Sequence, residues 1–119
     1  MAEPVRLREI LEEYANFPAS VRTEVRDTPP SQFTRLYFGL GMTLRNKFLW
    51  HRDNSFLIEE LRLMRDGVAN GQRMFRLADL EETANIVRPI SISNPDDISL
   101  NLIHILHDIE AGEVCFLDW

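Results

Sequence analysis

Residues Gln32 to Trp50 read QFTRLYFGLGMTLRNKFLW, and the winding of this stretch decides the fold. At 100° per residue, Phe33, Leu36, Tyr37, Leu40, Leu44 and Phe48 fall on one stripe, while Phe38, Met42 and Leu49 form a second on nearly the opposite side. The spacing predicts one long central helix, covered by neighbours on two sides. Ser31 stands where its hydroxyl can accept from the orphan amides of the first turn and cap that helix. Gly39 and Gly41 each cost roughly 1 kcal/mol relative to alanine in a helix interior, a cost that close approach of another helix would offset. Arg45 projects between Phe48 and Phe38, so a guanidinium enters an otherwise apolar interface and requires a carboxylate partner.

Outward from this helix, Leu7, Ile10, Leu11 and Tyr14 recur at spacings of three and four, predicting a first helix from Pro4 onward with Pro4 in its first turn. A short helix from Pro18 to Arg26 carries Val21 and Val25 and stops before Pro29 and Pro30. Downstream, Asn54 or Ser55 caps a helix that runs to about Arg65 through Leu57, Leu61 and Met64, and Asp66, Gly67, Asn70 and Gly71 break it. Residues 73–77 alternate over too few positions to separate a strand from a helix start. Asp79 to Val87 reads as a short helix and Arg88 to Ser93 as extended. The last helix, Asn94 to Ala111, has the clearest start: Asn94 as cap, Pro95 at the first helical position, Asp96 and Asp97 at the positive end of the dipole, and Gly112 as its stop. Residues 114–117 can add a strand to Arg88 to Ser93. The fold class expected is mainly α, a single-domain helical bundle over residues 1–119 with a minor two-stranded β element near the C-terminus.

Composition agrees with one ordinary domain: 119 residues, 45% apolar and 27% charged. No apolar run approaches the ~20 residues that span a bilayer, and Met1 to Arg8 lacks the basic-then-apolar order of a signal peptide. The expected compartment is the cytoplasm, without membrane association. The single Cys115 can form no internal bridge. Thirteen basic residues stand against 19 acidic ones, formally −6, which argues against nucleic acid as a partner.

Few residue groups suggest chemistry. His104 and His107, with Asp108 following, lie within one helical turn, but no other motif supplies a further metal ligand, so a surface histidine pair is expected. Cys115 between Val114 and Phe116 reads as a small buried hydrophobe rather than a nucleophile. Gly39 and Gly41 fall inside a helical pattern and make no phosphate loop. No catalytic residue, metal ligand or cofactor is assigned. The informative group is Arg45 and Asn46 on the central helix with Asp96 and Asp97 on the last. An ion pair of Arg45 with Asp96 or Asp97, locking two helices, is the favoured reading over a ligand or catalytic site.

At these residues the chain resembles a family of small uncharacterised bacterial proteins that carry an F-G-x-G-M-x-[IL]-R-N segment before a tryptophan and a P-D-D-x-S segment downstream. Phe38 to Asn46 with Trp50, and Pro95 to Ser99, carry the two motifs in the same order. Phe48 stands where the family has glycine, and Asn94 where it has histidine. The resemblance implies no activity, cofactor or substrate. It marks Arg45, Asp96 and Asp97 as a shared site.

Small size, acidic charge and the lack of a catalytic set lead to the expectation of an interaction protein. In its most concrete form this is an immunity or inhibitor protein that neutralises a basic partner such as a bacterial toxin. The alternatives are an enzyme or small-ligand module with a polar pocket around Arg45, Asn46, Asp96 and Asp97, and a nucleic-acid-associated regulator using local arginines.

Overall fold

In the computed structural model, which describes residues 4–50, 52–86 and 94–117, helices Leu7–Ala15 (α1) and Ala19–Asp27 (α2) precede the central helix over 33–49 (α3). Helices Ser55–Ala69 (α4), Leu77–Ile86 (α5) and Pro95–Glu110 (α6) follow, with short strands Met74–Phe75 (β1) and Cys115–Phe116 (β2). Helix α6 packs on α2 and along α3, while α4 carries α5 and α1. One hydrophobic cluster runs through all six, with Leu7, Ile10, Leu44, Leu57, Met64, Ile98, Leu102 and Leu106 almost fully buried. The radius of gyration is 13.6 Å, close to the ~13.5 Å expected of one compact domain of this length. No helix among the described residues is long and apolar enough to cross a membrane.

The central helix is not wound as an ordinary α-helix. Phe33–Leu36 and Met42–Leu44 are α-helical, but Tyr37–Gly41 and Arg45–Leu49 are π-helical. The amide of Trp50 donates to the Arg45 carbonyl five residues back at 3.0 Å. Bonds to i−5 put more residues in each turn, and burial follows a period of four: Leu36, Leu40, Leu44 and Phe48 face the core, while Phe38, Met42, Asn46 and Trp50 are exposed. This overturns the expected second covered stripe. Leu49 is buried, but Phe38 is 64% and Met42 49% exposed, because eleven residues of this winding do not bring Phe38 and Leu49 to the same face.

Several helix ends differ from the expectation for local reasons. Pro4 lies outside α1 in a parallel bridge with Asp53, whose carbonyl accepts from the Val5 amide at 3.0 Å, so the chain enters extended. Ser31 caps nothing with its side chain; Pro30–Gln32 form a 3-10 turn that leads into α3. At α4 the capping carboxylate is Asp53, which accepts from the Ser55 amide at 2.9 Å and its hydroxyl at 2.6 Å. That helix continues past Arg65 through Gly67, where a Cβ would lie 2.8 Å from the Phe75 ring and 2.7 Å from Gln72 Oε1. Gly67 is there so that β1 can fold back against the helix, and the turn falls at Gly71, whose φ is 88°.

Both halves of the undecided segment 73–77 have a place: Met74–Phe75 is strand and Leu77 opens α5. The tail strand pairs with β1; the partner expected for it, Arg88 to Ser93, lies outside the described residues. The pairing is parallel, Met74 opposite Cys115 and Phe75 opposite Phe116. Parallel neighbours need a long crossover, here containing α5 and α6. Strand alternation turns Val114 inward and Cys115 outward, so Cys115 is exposed rather than a buried hydrophobe.

Candidate functional site

The P-D-D-x-S segment builds one half of the Arg45 site. Asn94 Oδ1 accepts from the Asp97 amide at 2.9 Å, which fixes the first turn of α6. That turn presents Asp96 and Ser99, three residues apart and therefore on one face. The Ser99 hydroxyl donates to the Asp96 carbonyl at 2.9 Å and accepts from Arg45 Nη1 at 2.9 Å. Arg45 Nε lies 3.3 Å from Asp96 Oδ1.

The other half is α3 itself. The Arg45 guanidinium lies 4.4 Å from the centre of the Tyr37 ring, and Nη2 reaches the Tyr37 carbonyl at 3.5 Å. Gly41 clears the space between them. A Cβ there would sit 3.1 Å from Arg45 Nη1 and 3.3 Å from Ile103 Cδ1 of α6. The expected close approach of a neighbouring helix therefore holds at Gly41, but at Gly39 a Cβ would meet nothing within 4 Å.

Of the four residues read from sequence, the structure joins Arg45 with Asp96. Asp97 contributes its amide to the cap while its side chain is exposed, and Asn46 is exposed on α3. Tyr37, Gly41 and Ser99 complete the arrangement and are not among the site residues read from the sequence, where Gly41 marks only close approach of a helix. Gly41, four residues before a buried arginine, and the serine of the second motif were the available signals. The Arg45 side chain is only 7% exposed and Asp96 is 53% exposed, so the ion pair has a buried cation and a wet carboxylate. Chemically this is a clamp between two helices. Its hydrogen-bonding groups are turned to each other rather than to an open cavity.

A buried carboxylate lies where the N-terminal segment docks. Glu60 is fully buried; its Oε1 accepts from the Leu7 amide at 3.3 Å and lies 3.2 Å from Arg6 Nε. Arg6 also donates to Asn85 Oδ1 at 2.8 Å and the Glu81 carbonyl at 3.1 Å. Burial outweighs the Arg6 charge and the Leu7 amide and pushes the Glu60 carboxyl up to about 7.

Concave surface lies beside α6. One cleft of about 310 Å³ has Phe33, His104, His107 and Arg73 in its walls, and another of about 440 Å³ lies between Met64, Val68, Leu100 and Ile105. Both histidine rings meet the Phe33 ring edge-on, with centroids 4.7 and 5.1 Å away. Burial lowers the His104 pKa below its ordinary value. His104 is exposed and His107 half-buried, so the pair lies at the surface as expected, with both rings against Phe33. Among the described residues no three His, Cys, Asp or Glu side chains are grouped to hold a metal ion. Comparison with known proteins finds no matching family model, no matching curated protein and no matching solved structure.

Proposed function

We propose that this chain is a small acidic protein-binding module, in its most concrete form an immunity or inhibitor protein that neutralises a basic partner such as a bacterial toxin. The observation that carries this reading is the exposed apolar pair Phe38 and Met42, one turn apart on the central helix, with Trp50 45% exposed at the end of that helix. Large apolar side chains left in water on a rigid element are the ordinary material of an interface hot spot. A formal charge of −6 supports a basic partner. The alternative, a ligand or catalytic pocket around Arg45, is less favoured because the guanidinium is already engaged by Ser99, Tyr37 and Asp96 and is almost closed to solvent.

The test is affinity purification from the source cells with the parent chain and a Phe38→Asp, Met42→Asp double variant as baits. Both substituted positions are exposed, so the variant is expected to keep the parent's circular dichroism. A stoichiometric protein held by the parent, and at least tenfold depleted on the variant, is the expected result. Equal retention by both baits would remove the interface from this face, and a co-purified small molecule without a protein would move the polar-pocket reading to first place.

A further inference from the structure

We infer that Arg45 sets the winding of the central helix, and that the straight exposed stripe through Phe38, Met42 and Asn46 exists because of it. A four-residue period does not fit an ordinary α-helix. At 3.6 residues per turn each step of four advances about 40°, and that drift would set Lys47 between Leu36 and Leu40, and Leu49 between Phe38 and Met42. Lys47 is instead exposed like Gly39 and Thr43, and Leu49 is buried like Gly41 and Arg45, each sharing the environment of the residues four and eight before it. The drift is removed by the two π-helical segments. Runs of such winding are rare and need a cause.

Arg45 supplies one. It lies eight residues after Tyr37, a separation that points about 80° away in an α-helix but returns to the same line at four residues per turn. From that line its planar fork reaches back to the Tyr37 ring and carbonyl, across the gap left by Gly41, and is tied to α6 through Ser99 and Asp96. The guanidinium thus holds two turns of the helix in one register against a fixed neighbour. Arginine suits this role because its donors are coplanar and forked; lysine has the charge without the fork.

That the aligned stripe is a docking face rests on the protein-binding reading above; the winding itself is measured on the isolated chain, so the two fail separately. The measurement is the through-hydrogen-bond NMR coupling of the Trp50 amide nitrogen. In the parent it is expected to the Arg45 carbonyl carbon, five residues back. In Arg45→Lys it is expected to move to the Asn46 carbonyl, four residues back. Gly41→Ala, which crowds the guanidinium and adds helix propensity, is expected to do the same and decides the matter alone where Arg45→Lys does not fold. A folded variant whose Trp50 amide remains coupled to residue 45 would overturn the inference.

Discussion

Arg45 and Asp96 belong to one ion pair but contribute unequally, because one end is buried and the other is wet. Removing the guanidinium leaves Ser99 and the Tyr37 carbonyl facing a void, so Arg45→Ala should cost about 3 kcal/mol. Asp96→Ala gives up a half-solvated partner and should cost about 1 kcal/mol. Asp97→Ala should change stability by less than about 0.5 kcal/mol. Urea melts of the three variants and of the Arg45/Asp96 double variant check this, the double costing less than the sum.

Glu60 gives the residue-scale pH dependence. Its folded pKa of about 7 lies above its unfolded value, so the folded chain holds this proton more tightly. The contribution is fully present below the ordinary carboxylate range and is lost as pH rises to about 7. The loss amounts to about 3 kcal/mol. His104 has the opposite slope: its lowered pKa makes stability fall as pH drops through the imidazole range. Melts at pH 5 and pH 8 should therefore show a Glu60→Gln variant gaining stability relative to the parent at the higher pH. That Arg45 needs a carboxylate was legible from its place between apolar residues. That Glu60 sits inside was not, because Leu57, Leu61 and Met64 define the inner face of α4 without saying what else closes over it.

At the scale of elements, two glycines inside helices separate packing from propensity. Gly67→Ala should destabilise by about 1–3 kcal/mol, since its methyl would meet the Phe75 ring and the Gln72 side chain inside normal contact distance. Gly39→Ala should instead stabilise by up to about 1 kcal/mol, because the space there is open. Thermal melts that shift in opposite directions are the expected outcome. From sequence Gly39 reads as inside a helix and Gly67 as a breaker after Arg65, yet both lie within helices. The start of α6 is the contrary case: Asn94, Pro95 and the two aspartates announce it through interactions confined to a single turn, and Asn94→Ala should cost about 1 kcal/mol.

For the whole molecule, the charge of −6 matters through the rate at which a partner is met. If the protein-binding reading holds, association with a basic partner should slow about tenfold or more between low and high salt, while dissociation changes little. Stopped-flow mixing at several ionic strengths measures it. A salt-independent rate would leave the net charge without a part in recognition.

By itself the sequence determined where the helices lie and that Arg45 must find an anion, since periodicity, capping residues and prolines act over a few neighbouring positions. Only the tertiary structure decided which face of the central helix is covered, that Asp96 rather than Asp97 takes the arginine, and that Cys115–Phe116 pairs with Met74–Phe75. These outcomes depend on contacts between residues some forty to sixty positions apart. The winding of the central helix is the plainest instance: its letters read as two apolar stripes at 100° per residue, and an isolated helix has no reason to leave 3.6 residues per turn. With α6 alongside to receive Arg45 through Ser99 and Asp96, it has one.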